Sequence, residues 1–287
     1  MECKELRHAS TPGILRKRLL AQESLQEYAE ELVGLGRHGL RLVTTEGRGG
    51  RINGKRARSI GKLGGHPHLP SGFTWPRWGG VPLAFVAQLN LAKVPRRVRP
   101  AGLPKDGRLV FFALISPWND NGSRFEQACQ WHVAHIPAGA EIERVRFPWD
   151  LGVEARLYRQ PVRAVADWTP ARWDSPEVRA LGLSSKQEDA YRKALGPIDE
   201  YETIHRFFGN ADEIKGGLAA GAEQAATGAR TKKDAGPTGW RVLLQVDSDH
   251  EGHGVVFGSA GRIFWMIREE DLALGKLENA VLVGQCY

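Results

Sequence analysis

Apolar residues recur along this chain in two phrases of the same order. Leu83-Ala-Phe-Val-Ala-Gln88-Leu-Asn90 precedes Gly107-Arg-Leu-Val-Phe-Phe112, and Leu243-Leu-Gln245-Val-Asp247 precedes Gly261-Arg-Ile-Phe-Trp265. Each phrase predicts an apolar strand with Gln-x-Asn or Gln-x-Asp near its end, a polar connection, and a second apolar strand opened by Gly-Arg. A duplicated sheet unit accounts for both. It predicts that each Gln strand is antiparallel to its Gly-Arg strand, and that Gln88 superposes on Gln245 and Asn90 on Asp247.

Elsewhere the spacing of Leu15, Leu19, Leu25, Ala29 and Leu32 predicts one amphipathic helix from Ile14 to Val33, followed by a strand from Gly39 to Thr45. Residues 46–65 are glycine-rich and basic and read as a surface loop, and the proline-rich segment 66–76 as an extended path. Strand-like stretches follow at 129–136, 140–145, 152–161 and 162–168, then one or two helices over 175–194. The Gly/Ala/Thr/Lys-rich segment 216–239 reads as a mobile insertion with a weak helix at its centre; a short helix at 269–272 and a strand at 280–285 end the chain. The expected fold class is α+β: a largely antiparallel sheet built from two pseudo-repeated strand units, with an N-terminal helix and peripheral helices. Residues 1–58 form its N-terminal part and 59–287 the part with the two repeats, about 81–116 and 240–267, in one compact domain.

Composition narrows the classes. The 287 residues are 41% hydrophobic and 25% charged, and the longest apolar stretches, such as Leu109 to Ile115, are strand-sized, so no membrane span or membrane partner is expected. Charges in Met1-Glu-Cys-Lys-Glu-Leu-Arg exclude a signal-peptide core, which makes the expected location cytoplasmic. Cys3, Cys129 and Cys286 are too few and too scattered for a disulfide framework or zinc ribbon. A net charge of +7 favours anionic partners, but the basic clusters lack interleaved aromatics, so nucleic acid is not the expected partner.

Familiar catalytic and cofactor motifs are incomplete. Gly49-x4-Gly54-Lys55 approaches a phosphate loop, but Arg56 stands where Ser or Thr would hold magnesium. Gly258-Ser259-Ala-Gly261 lacks the first glycine of a nucleophile elbow. Asp247-x-Asp249-x-Glu251 starts like a calcium loop yet has Gly258 where the bidentate acid belongs, and the pairs His66/His68, His132/His135 and His250/His253 only partly match metal spacing. The expectation is therefore no cofactor and no metal.

Gln88, Asn90, Gln245 and Asp247 differ in kind because they interrupt apolar strands. An amide buried without a partner costs about 1–3 kcal/mol, so these groups must pair with one another, with backbone or with a ligand. Asp249 leaves the second strand beside Asp247; Lys62, Arg108 and Arg262 are candidates to neutralise the two acids, and Trp75 borders the first phrase as a possible wall. The candidate binding or inter-repeat network is thus Lys62, Trp75, Gln88, Asn90, Gln245, Asp247 and Asp249.

The ordered segments Lys62-Leu-Gly-Gly65-x-Pro67-x-Leu-Pro70, Trp75-Pro76, Pro82-Leu-x-Phe85-x-Ala-Gln88-Leu-Asn90, Leu243-Leu-Gln245-Val-Asp247 and Gly261-Arg-Ile-Phe264 resemble the bacterial YwqG-like family of unknown function. His205-x-x-x-Gly209 matches a further family block, but Asn210-Ala211 and Lys215 depart from it, as does Phe257-Gly258-Ser259 where such proteins carry Trp-Gly-Asp. The resemblance implies a compact α+β fold with no established reaction, and some relatives are similar to suspected immunity proteins near toxin genes. The leading expectation is a cytoplasmic, non-enzymatic binding protein whose partner is another protein, as an interaction or toxin-immunity module. The alternative is an enzyme or small-ligand-binding protein with a cleft between the repeats and Asp247 or Asp249 as acid or base.

Overall fold

The computed structural model describes residues 8–44, 51–52, 55–115, 130–197, 203–228 and 239–287. Its main feature is a ten-stranded antiparallel sheet. In chain order the strands are β1 (Arg37–Thr44), β2 (Arg58–Leu63), β3 (Ala84–Asn90), β4 (Arg108–Ala113), β5 (Trp131–Ile136), β6 (Gln160–Thr169), β7 (His205–Phe208), β8 (Trp240–Asp247), β9 (Arg262–Arg268) and β10 (Val281–Gln285). Their spatial order, β5-β4-β3-β2-β6-β1-β7-β8-β9-β10, reads the same from either end if β2–β5 is exchanged for β7–β10 and β6 for β1. Two four-stranded meanders therefore flank the central β6–β1 pair, which is in register from Arg37 opposite Thr169 to Thr44 opposite Val162.

The register bears out the duplication residue by residue. Lys62 lies opposite Gln88 and Asn90 opposite Arg108, as Arg206 lies opposite Gln245 and Asp247 opposite Arg262. β3 carries a bulge between Phe85 and Ala87, and β8 one between Val242 and Leu244, the same place counted back from the glutamine. After β2 the chain turns through Gly64 (φ 55°) and Gly65 (φ 66°); after β7 it turns through Phe208 (φ 57°) and Gly209 (φ 87°). A phenylalanine at positive φ is costly, and it persists here because the duplicated turn demands that conformation.

The sheet curls so that the inner faces of both halves share one core, including Leu40, Leu63, Leu89, Phe111, Leu244 and Trp265. Phe111 and Trp265, equivalent positions of β4 and β9, meet edge to face with ring centroids 5.2 Å apart. On the outer face each half has its own satellite cluster: Leu69, Phe85, Val110 and Phe112 in the first, and Leu218, Val242, Phe264 and Met266 in the second. A helical layer, α1 (Pro12–Leu20), α2 (Ala29–Gly34), α3 (Pro176–Arg179) and α4 (Ser185–Leu195), packs its own cluster against Trp168. α5 (Leu218–Thr227) lies along β10, and α6 (Glu269–Ala273) follows β9.

Several local expectations need correction. The helix predicted over 14–33 is two helices separated by a turn of 3-10 helix, Glu23–Leu25, because Gln22 is extended (φ −106°, ψ 105°); the apolar spacing survives since Leu15, Leu19, Leu25, Ala29 and Leu32 all enter the helical core. The basic "loop" 46–65 contains β2, whose Ile60 and Leu63 are buried although three residues apart, because the pairing with β6 shifts register at Ile60 and breaks the alternation; residues 45–50 and 53–54 lie outside the described residues. The stretch 152–161 is mostly not a strand: Val153–Ala155 is 3-10 helix, closed by Arg156 donating to Leu151 O. In the predicted insertion, α5 is well packed through Leu218 and Ala222, and residues 229–238 lie outside the described residues. Cys286 is buried and unpaired, whereas Cys3 and Cys129 also lie outside. No helix among the described residues is long and apolar enough to cross a membrane.

Candidate functional site

The outer face of each repeat carries one polar cluster, built on corresponding strands. In both, the glutamine of the repeated phrase clamps the backbone of a residue six positions beyond the cation opposite it. Gln88 Oε1 accepts from His68 N (3.1 Å) and Nε2 donates to His68 O (2.6 Å). Gln245 Oε1 accepts from Asp212 N (3.0 Å), while Nε2 donates to Ile204 O (2.8 Å) and Asp212 Oδ2 (3.1 Å). Both buried amides are thereby satisfied by the fold itself.

The second cluster is closed, with each of its two cations paired to at least one carboxylate. Arg206, buried in β7, donates to Asp212 Oδ2 (2.9 Å) and to Asp167 Oδ2 on β6 (3.1 Å). Arg262 donates to Asp212 O (2.8 Å), and its Nε stands 2.9 Å from Asp247 Oδ2 without the alignment of a hydrogen bond, so that contact is Coulombic. Asp247 also accepts from Ile204 N (2.9 Å) and Ser248 N (3.0 Å). Burial pushes Asp212 and Arg206 toward their neutral forms, but their mutual attraction outweighs it: Asp212 stays below the ordinary carboxylate value and Arg206 above its own. For Asp247 burial wins over Arg262 and raises the carboxyl. This ion pair lies within the second repeat rather than across the repeat interface.

The same positions in the first repeat keep the cations and lose the acids. Lys62 stands where Arg206 does and Arg108 where Arg262 does, but His68 replaces Asp212 and Asn90 replaces Asp247. Lys62, only 8% exposed, donates to His66 O, lies 3.2 Å from His68 Nδ1, and sits 5.5 Å from the Phe85 ring centre. Burial, with Arg159 and Arg144 adding, lowers its ammonium to about 8. Asn90 Oδ1 caps Ala92 N at the start of the short 3-10 helix Leu91–Lys93.

Over this cluster lies an open groove of about 1130 Å³, floored by β2 and β3 and walled by Leu91–Lys93 and the start of β6. Arg58, Lys62, Lys93, Arg108, Arg159 and Arg163 line it together with His68, and none of the described lining residues is a carboxylate. Arg108 has no ion pair among the described residues, in contrast to Arg262.

The seven residues expected from the sequence thus divide. Lys62, Gln88 and Asn90 belong to the first cluster and line the groove; Gln245 and Asp247 belong to the second. Trp75 does not line the groove but packs in the outer satellite core, its Nε1 donating to Leu83 O (2.8 Å) and its ring edge-on to Phe112 at 5.3 Å. Asp249 lies past the end of β8, accepting from Gly252 N (2.8 Å), with Oδ2 3.8 Å from His205 Nε2; that imidazole holds its carboxyl below the ordinary value. His253, fully buried beside it, donates from Nε2 to Asp247 O (2.9 Å) and accepts from Val255 N (3.3 Å), and burial lowers it to about 4.

Sequence reasoning missed Arg206, Asp212 and Asp167, and did not connect Arg159 and Arg163 with Lys62. A signal existed: Gly61-Lys-Leu-Gly-Gly-His-Pro-His68 aligns with His205-Arg-Phe-Phe-Gly-Asn-Ala-Asp212 once both are placed one strand before their Gln phrases.

Residues 61–286 match the family described as Domain of unknown function (DUF1963), and the chain belongs to that family. The match begins in β2 and ends after β10, so it takes in both repeats and both polar clusters. No curated protein matches the chain.

Proposed function

We propose that this protein is a cytoplasmic, non-enzymatic binding protein that captures an acidic segment of another protein in the groove over its first repeat. The observation that carries this reading is the contrast between the repeats. One scaffold, used twice, neutralises its cations internally in the second copy through Asp167, Asp212 and Asp247, and leaves those of the first copy facing a groove with no carboxylate among its described lining residues. Concentrated positive charge in a concave site raises the local concentration of anions and speeds their association. An open groove of this size admits an extended chain better than it encloses a small molecule. The resemblance to the YwqG-like family adds a class of partner, a toxin neutralised by this chain as an immunity protein.

An acid–base role for Asp247 or Asp249 draws no support from the geometry. Asp247 is buried against Arg262, Ile204 and Ser248, and Asp249, half-buried, is engaged by Gly252 N and His205.

Fluorescence anisotropy with a labelled twelve-residue Asp/Glu-rich peptide tests the proposal. Binding should weaken about tenfold or more between 50 and 500 mM salt, as expected where exposed charges contribute. The double charge reversal Arg159→Glu/Arg163→Glu should abolish it, while Lys186→Glu on the exposed face of α4 should leave it unchanged. Equal binding by the wild type and the double variant would overturn the assignment of the groove.

A further inference from the structure

The second repeat shows which acids stand against the cations that the two repeats share. Between the two clusters the lysine or arginine opposite the glutamine, the glutamine itself, and the arginine opposite the phrase's last residue are all retained. Two of the three acids of the second cluster lie at positions the first repeat shares, and both change, Asp212 to His68 and Asp247 to Asn90; the third, Asp167, reaches Arg206 from β6. In the second repeat the first two are separate carboxylates doing two separate jobs. Asp212 meets Arg206 on β7, and Asp247 meets Arg262 on β9.

The first-repeat cations are likewise separated, Lys62 on β2 and Arg108 on β4, with β3 between them. Two strand spacings and an offset of two residues along β3 place their backbones roughly 12 Å apart. In the second repeat each of the equivalent cations has a carboxylate of its own, Asp212 for Arg206 and Asp247 for Arg262, and two anionic groups on one ligand would serve Lys62 and Arg108 in the same way. A planar carboxylate also matches the guanidinium fork of Arg108.

We infer that the groove recognises a pair of carboxylates on one ligand, which approach Lys62 and Arg108 from the groove, beside His68 and Asn90, and supply the charges that Asp212 and Asp247 carry in the second repeat. This deepens the proposed function and rests on it. The shared chemistry could be supplied by neighbouring Asp or Glu side chains of a protein segment or by a free polycarboxylate. His68 and Asn90 then have a defined role: by being uncharged acceptors at the acid positions, they keep the site from closing on itself. Asn90 retains the cap on Ala92 N that an aspartate would also make, so the amide leaves local structure intact and omits only the charge.

Calorimetric titration of the full chain with the Asp/Glu-rich peptide, the same peptide with every acid as its amide, citrate and inorganic phosphate tests this. The variants are His68→Asp/Asn90→Asp, Asn90→Asp alone and Arg108→Gln. Wild type should bind the acidic peptide, and the amide peptide should bind at least tenfold more weakly. His68→Asp/Asn90→Asp should lose at least tenfold in affinity while melting at or above the wild-type temperature, since the introduced acids fill the site from within. Should that double variant fail to fold, Asn90→Asp and Arg108→Gln carry the test, each expected to weaken the peptide several-fold.

Phosphate binding as tightly as the peptide, or undiminished peptide affinity in all folded variants, would overturn the inference and leave a general anion site standing. Citrate equalling the peptide would support the carboxylate pair and overturn the protein partner. No binding of any probe by the wild type would overturn the proposed function itself, and the inference with it.

Discussion

Arg206→Met should destabilise the protein by about 3–5 kcal/mol, because removing one member of a buried ion network strands the others without compensation. Asp212 and Asp167 both direct a carboxylate oxygen at this guanidinium, at 2.9 and 3.1 Å, and the Arg206 side chain is 5% exposed. The same change at the equivalent position of the first repeat should act in the opposite direction. Lys62 has an ammonium lowered to about 8 from its ordinary 10.5. A lysine lowered in this way contributes its full stability only above 10.5 and loses it as the pH falls through 8, so at neutral pH the charged amine costs the fold on the order of 3 kcal/mol. Lys62→Met should therefore raise stability by about that amount while abolishing capture of the acidic peptide, the pattern of a functional group held at the expense of the fold. Denaturant melts of both variants decide the matter; equal losses at the two positions would mean that both clusters are merely structural.

Acid should unfold the protein in a window set by His253. Nε2–H of this ring donates to Asp247 O and Nδ1 accepts from Val255 N, so a second ring proton would face an N–H group. Its folded value of about 4 lies below the ordinary 6.5, a depressed histidine whose contribution is fully present above 6.5 and lost as the pH falls toward 4. The expected loss across that window is about 3 kcal/mol. Burial also lowers His8, His66, His68 and His132, so the whole protein loses more than His253 alone supplies. The diagnostic quantity is the difference between wild type and His253→Gln: the variant should start less stable at pH 7 and show the shallower decline to pH 4. Parallel declines would remove His253 as the cause.

The doubled architecture was legible in the sequence because the Gln-x-Asn and Gln-x-Asp phrases and their Gly-Arg partners are short, local and apolar, and strand pairing kept them in the order in which they are written. The preceding strands were harder to see. β2 hides in a glycine-rich basic stretch, since an irregularity at Ile60 breaks the period of two and brings Ile60 and Leu63, three residues apart, both to the inside. β7 is four residues long and ends on Phe208 at positive φ, a conformation that nothing in a phenylalanine announces. Lys62, Gln88 and Asn90 could be singled out as polar interruptions. Their meaning could not, because it depends on Asp212 and Asp167, which reach Arg206 only after the chain has crossed the sheet centre. Trp75 shows the converse: a tryptophan bordering a motif proved to be part of a satellite core, hydrogen-bonded to Leu83.

The central claim is that the first repeat holds an uncompensated buried cation that a carboxylate ligand completes. The most direct measurement is the titration of the Lys62 amine by NMR of lysine-labelled protein, assigned by Lys62→Arg, with and without saturating acidic peptide. The account predicts an apparent pKa near 8 in the free protein that rises by a unit or more when the peptide is bound, because an adjacent carboxylate favours the charged amine. A free value at the ordinary 10.5, or a value of about 8 that saturating peptide leaves unchanged, would contradict it.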